Sequence, residues 1–251
     1  MRIKNGQAIS IIFTFLFFSI PLQVKGYCSL IDCQPNECVQ DHFDAFDENH
    51  FLKQKQLYSP RQNENTYNMY SSHKHRFLWL RVFKVASSST RVFLKKNVED
   101  LTQSRPTRLP KKFKDYFKFA FVRNPWDRVV SCYFHKVVTK EIPLFKECFD
   151  KDFDFFVDFI NKTDLRTANA HIRLQTKLIP KGLDFIGKLD TFDQDFQHVC
   201  DVIGIEYHGL THEHQTQHAH YSSYYTPRTR RIIAKKYEAD IKAFGFKFET
   251  E

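Results

Sequence analysis

Residues Phe121–Tyr133, FVRNPWDRVVSCY, join a strand end, a helix start and an anion site in one short stretch. Just upstream, Phe117-Lys118-Phe119-Ala120-Phe121-Val122 is apolar and aromatic enough for a buried strand. Asn124-Pro125 then supplies an N-cap followed by proline at the first helical position. Asp127, three residues after the cap, can accept first-turn N–H groups and meets the positive end of a helix expected over about 125–139. Arg123 leaves the carboxyl end of the strand, where open α/β sheets place ligands, and Ser131 lies two turns into the helix, within reach of the same point. An arginine and a hydroxyl at a helix start suit a phosphate.

A second copy of this plan precedes the first. Phe77–Phe83 (FLWLRVF) reads as a strand, Lys84–Ser88 as a loop and Ser89–Glu99 as a helix. Two strand–loop–helix units in succession imply an α/β chain with a parallel sheet. The first loop, FKVASSSTR, offers a cation, successive backbone N–H groups and several hydroxyls, which together can grip a phosphate. GxxxxGK[ST] is absent and the second strand ends in Arg123 rather than an aspartate, which argues against magnesium-dependent nucleotide hydrolysis. Downstream, Phe153, Phe156, Val157 and Ile160 recur at helical spacing, as do Phe192, Phe196, Val199 and Ile203, with a short buried strand expected at Asp184–Gly187. Thr226-Pro227 opens a final helix to about Phe244, whose stripe is Ile233, Tyr237, Ile241 and Phe244, and Gly245 ends it. These apolar faces are assigned to packing.

With 251 residues and 42% hydrophobic content, the chain suits one sizeable domain. Its net charge of +9 implies an anionic partner: nucleic acid, acidic polysaccharide, anionic membrane or phosphorylated cofactor. Residues 1–26 read as targeting sequence, with Arg2 and Lys4 before an apolar run from Ala8 to Val24. Val24 and Gly26 fit a signal-peptidase site before Tyr27, and retention as a signal anchor is the alternative. Either outcome sends the domain into the secretory pathway, where Asn161-Lys162-Thr163 has the pattern of a glycan-acceptor site. Residues 27–76 read as a cysteine-containing extension, polar from Asp41 to His75, and the domain itself as 77–251. Cys28, Cys33 and Cys38 are odd in number; if they and Cys132, Cys148 and Cys200 all pair, at least one disulfide ties the extension to the body. The spacing of the first three is poor for zinc.

Together, FKVASSSTR and FVRNPWDRVVSCY resemble the two cofactor motifs of the membrane-associated carbohydrate sulfotransferases, which use 3′-phosphoadenosine 5′-phosphosulfate (PAPS). His171–Gln175, Asp184–Asp190 and the segment from His220-Tyr221 through Tyr225-Thr226 look like further landmarks of that family in the expected order, so the resemblance spans roughly residues 77–248. It implies an α/β, P-loop-like three-layer fold, with a central parallel sheet flanked by helices. It also implies PAPS as sulfate donor without a metal, and a glycan or proteoglycan acceptor rather than nucleic acid. The Golgi lumen, by membrane anchor, or secretion follows as location.

By the same resemblance Lys84, Ser87, Ser88 and Ser89 hold the 5′-phosphosulfate, Lys84 follows charge onto the leaving oxygen, and Arg123 and Ser131 hold the 3′-phosphate. Arg128 can reach phosphate or pair with an acidic neighbour. Ala86 stands where related loops often have glycine and fits if its φ is negative; Asp190 stands where glutamate is commoner and is assigned a structural role. His171 is the candidate general base, with an Asp or Glu as the alternative, and His135 is read as lying on the helix surface. His208, His212, His214, His218 and His220 read as an exposed loop rather than a metal site. The alternative function is a lumenal PAPS- or glycan-binding protein without catalysis.

Overall fold

The computed structural model describes residues 66–210 and 219–250. Chain order runs β1 (Met69–Ser72), β2 (Phe77–Leu80), α1 (Ser87–Asn97), β3 (Thr102–Ser104), β4 (Phe117–Val122), α2 (Pro125–Cys132), α3 (Phe153–Lys162), α4 (Gln175–Leu178), β5 (Phe185–Lys188), α5 (Phe192–Ile203), α6 (Pro227–Lys236) and α7 (Glu238–Phe244). The five strands form one sheet in the order β3-β1-β2-β4-β5. Strands β2, β4 and β5 are parallel, with Leu80 opposite Ala120 and Val122 opposite Lys188. Their carboxyl ends therefore open at one edge, and the loops after β2 and β4 emerge side by side there.

The sheet is mixed rather than wholly parallel, because β1 pairs antiparallel with both β2 and β3. Strand β1 also lies inside the stretch expected to be an extension before residue 77. Its sequence, MYSS, lacks the apolar alternation of a strand, yet all four residues are buried. The hydroxyl of Ser72 donates to Asp100 Oδ1 at 2.5 Å, so the partner that makes this polar residue tolerable inside is supplied 28 positions away.

Aromatic side chains fill the layer between the sheet and α5. The Phe121 ring lies 4.7 Å from Phe192 and 5.9 Å from Phe196, centroid to centroid. This packing needs Gly187 opposite Phe121, since a Cβ there would stand 2.4 Å from the Phe121 ring. A second cluster, including Trp126, Val130, Phe145, Phe156, Ile233 and Tyr237, binds α2, α3 and α6 together.

Two expected helices are interrupted. The helix from Pro125 passes into a π-helical turn at Tyr133–Val138, a distortion that often marks functional positions. The last helix breaks at Tyr237, whose hydroxyl donates to Ile172 O at 2.6 Å and ties the break to the centre of the molecule. Cys132, Cys148 and Cys200 are buried thiols, and no disulfide occurs among the described residues. Cys28, Cys33, Cys38 and the targeting segment 1–26 lie outside them, as do His212, His214 and His218. No described helix is long and apolar enough to cross a membrane.

Candidate active site

The loop after β2 turns sharply. Lys84 (φ 69°) and Ala86 (φ 56°) both occupy the left-handed region, so the negative φ that would let alanine replace glycine at 86 without strain is not what the loop adopts. A left-handed residue abutting a helical one directs successive N–H groups into one concavity, a backbone arrangement that takes anions. Helix α1 starts at Ser87, with Ala86 at its N-cap position and no side chain capping it. Its first-turn N–H groups lack intrahelical acceptors. Ser87 and Ser89 are buried and Ser88 half-buried in that first turn.

The turn after β4 is built differently. Asn124 caps α2, accepting from Trp126 N, and donates from its amide to Lys247 O at 2.7 Å. Arg123 grips Asp127 in a two-point ion pair, Nε to Oδ2 at 2.6 Å and Nη2 to Oδ1 at 2.7 Å. Its Nη1 donates to Lys84 O at 3.1 Å. Arg123 thus reaches across to the first loop and retains two of its five N–H donors for a ligand. Ser131 lies on α2 and is buried.

Arg128 neither faces an anion site nor pairs with an acid. It is fully buried and donates to the carbonyls of Phe83 at 3.2 Å, Arg173 at 2.8 Å and Ala170 at 2.8 Å. This guanidinium is a clamp that holds the first loop to the 170–173 segment. Burial of the charge is tolerable because three carbonyls replace lost water.

Desolvation lowers the Lys84 ammonium from 10.5 to about 7, and the like charges of Lys136 and Arg123 push in the same direction. A phosphate or sulfate here would relieve both. Lys136 comes from the π-helical turn, where it pairs with Glu141, and His135 Nδ1 is 3.5 Å from the same carboxylate. Desolvation, and after it the Asp127 carboxylate, push the Asp190 carboxyl up from its ordinary value.

His171 is buried at 6% exposure, with its ring 4.6 Å from that of Phe83. Asn169 Oδ1 accepts from both the His171 backbone N–H, at 2.9 Å, and its ring Nδ1, at 2.8 Å. A backbone N–H can only donate, so the Asn169 atom facing it must be the oxygen, and Nδ1 must then carry the ring proton. Nε2 is left with the lone pair. Burial, followed by Lys136 and Lys84, keeps the imidazole well below its usual 6.5 and therefore neutral.

Two positioning residues escape sequence reasoning. Gln175, fully buried, accepts from Arg123 N at 3.0 Å and donates to Arg123 O at 2.8 Å, extending β4 as another strand would. Asp240, also fully buried, accepts from Gln175 N, Thr176 N and Thr176 Oγ1 within 2.9 Å and so caps α4. A capping carboxylate 65 positions from its helix leaves no local signal. His208 is exposed, 3.2 Å from Glu206, and His220 caps the 3-10 turn at Tyr221–Tyr224; no group of metal ligands occurs among the described residues.

Residues 67–247 match the family model described as Sulfotransferase family. No match is found among curated proteins or among solved structures.

Proposed function

The chain belongs to the sulfotransferase family, and from that premise we propose that it transfers the sulfuryl group of PAPS to a carbohydrate hydroxyl. One observation carries the reading: Arg123 Nη1 donates to Lys84 O, joining the two anion-competent loops at the carboxyl ends of adjacent parallel strands. A nucleotide with charged groups at both its 5′ and 3′ positions calls for two such loops. The uncapped, left-handed start of α1 fits a bound phosphate, since its N–H groups are already turned into one concavity.

Lys84, Ser87, Ser88 and Ser89 are assigned to the 5′-phosphosulfate, and Arg123 and Ser131 to the 3′-phosphate. PAPS supplies an activated sulfuryl group on a phosphate leaving group. His171 Nε2 takes the proton of the acceptor hydroxyl as the new S–O bond forms and the bond to the phosphate oxygen breaks. Lys84 neutralises charge gathering on that departing oxygen, and the backbone donors of the first loop need no rearrangement to help it. None of these steps calls on a metal ion. A lumenal compartment of the secretory pathway is the proposed setting.

The direct test is transfer of labelled sulfate from PAPS to mixed glycans, expected to yield labelled saccharide and 3′-phosphoadenosine 5′-phosphate in equal amounts. Tight PAPS binding without transfer would leave the non-catalytic binding protein as the better reading.

A further inference from the structure

The edge of the sheet away from β5 carries a surface with no part in the chemistry above. Residues 105–118, RPTRLPKKFKDYFK, hold six cations and one acid. Arg105, Arg108, Lys111, Lys112 and Lys114 are all exposed, and none is ion-paired among the described residues. Within the stretch only Lys118 is spent, on Asp184, whereas elsewhere many cations are, as Lys74 is on Glu99, Lys140 on Asp150 and Arg228 on Asp158. Asp100, which precedes the stretch, is occupied as well: it accepts from Ser72 Oγ and from the N–H groups of His73 and Lys74.

Arg105 and Lys112 line a groove against β1 and β3, with Ser71, Ser104, His73 and Phe113. Its far end is stiffened by stacking of His73 on Phe113, centroids 5.5 Å apart, and by the contact of His73 Nδ1 with Tyr116 OH at 2.7 Å. Ser104 is level with Met69, and Met69 with Leu80, at the end of β2 that leads into the donor loop. Two strand spacings separate β3 from β2, so the groove opens roughly 10 Å to the side of that end.

We propose that this groove and its cations form a binding track for an anionic polysaccharide, holding the acceptor chain outside the reaction centre. The track deepens the proposed sulfotransfer and rests on it for the claim that the bound chain is the acceptor. Charge complementarity selects an anionic partner. A membrane surface would call for exposed apolar side chains among the cations, whereas Phe113 is buried and none of the large exposed hydrophobic residues lies in this segment. Single-stranded nucleic acid would call for open aromatic faces, but the Phe113 ring is covered by Lys112 and His73, and Tyr116 by Arg76.

The test uses the full chain and a fluorescent heparin fragment of about twenty sugars, with the triple variant Arg105→Ser, Arg108→Ser, Lys112→Ser; many spaced charges along a polymer are what make binding strong and salt-dependent. Heparin affinity is expected to fall at least about tenfold in the variant, with a shallower salt dependence, at an unchanged melting temperature. Lys84→Ala should leave heparin affinity intact. Unaltered heparin binding in the folded triple variant would overturn the track, as would tighter binding of the parent protein to phosphatidylserine vesicles or duplex DNA. Because binding is read without turnover, absence of sulfate transfer would count against the proposed reaction and not against the track. A raised KM for long anionic acceptors, with unchanged kcat and an unchanged KM for PAPS, would join the two.

Discussion

The loop after β2 and the turn after β4 share one plan, a parallel strand running into a helix, and differ in how much of their own polarity they satisfy. Around Arg123 nearly everything is paired: Asn124 caps the helix, Asp127 holds the guanidinium at two points, and Gln175 completes the backbone. Around Lys84 the chain is left open, with two left-handed residues, no cap and an ammonium lowered to about 7. Two carbonyls of the open loop are held from the closed side, by Arg123 and Arg128. Rigidity and ligand affinity are therefore divided between two copies of one motif, because donors satisfied internally are not available to an anion.

The largest expected effect falls on the open loop. Lys84→Ala should lower kcat by about 10²–10³, the usual loss when one preorganised charge-stabilising donor is removed, with a smaller change in the KM for PAPS. Initial rates at saturating donor would measure it, and a change confined to KM would make Lys84 a binding residue only.

Arg128→Ala attacks the clamp. Three buried carbonyls would lose their donor, at about 1–3 kcal/mol per unsatisfied group, so unfolding in urea should show a loss of at least about 3 kcal/mol. A loss below about 1 kcal/mol would show that the first loop keeps its shape unaided.

For Arg123→Ala, loss of a charge-assisted contact worth about 1.5–3 kcal/mol predicts a rise of roughly ten- to a hundredfold in the KM for PAPS. A donor analogue lacking the 3′-phosphate should not distinguish the variant from the parent protein.

Proton linkage provides a fourth test. In the free protein Lys84 titrates near 7, below its ordinary 10.5, and a bound anion favours the charged form and raises the value again. Donor affinity should therefore be full below about pH 7 and fall as pH rises through it, by up to tenfold per unit, with proton uptake on binding. Titration calorimetry in buffers of different ionisation enthalpy would measure the uptake; release of protons would contradict the assignment. His171, kept neutral by burial, adds a stability effect of its own: its folded value lies below 6.5, so its contribution is complete above pH 6.5 and declines as pH falls.

The smallest effects contrast the two helix starts directly. Removing the cap of the closed turn, Asn124→Ala, should cost about 1 kcal/mol. Ala86→Gly in the open loop should instead stabilise by a few tenths to about 1 kcal/mol, since glycine accepts the positive φ but adds freedom to the unfolded chain. Thermal melts of both variants check the signs, and destabilisation by Ala86→Gly would mean that the alanine methyl packs usefully.

Much of this arrangement is legible in local sequence because its causes are local. Asn124-Pro125 marks the helix start at Pro125, the Phe192 and Phe196 periodicity marks α5, and the order of strands and helices gives the parallel centre of the sheet. Strand β1 is not legible in local sequence because it is short and ends in two serines, and its acceptability inside depends on Asp100. Arg128 stayed ambiguous for the same reason, since its acceptors are backbone carbonyls 42–45 positions away that no residue identity reveals.

The sequence by itself determined where the two loops fall and which charged and hydroxyl side chains they carry, because caps, prolines and apolar periodicity act over a few residues. Only the tertiary structure decided what those side chains do. It turned Arg128 inward as a clamp, gave Ala86 a left-handed backbone, set the His171 tautomer through Asn169, and laid the cations of residues 105–114 beside the edge of the sheet. Burial and long-range hydrogen bonds assign such roles, and both exist only once distant segments have met.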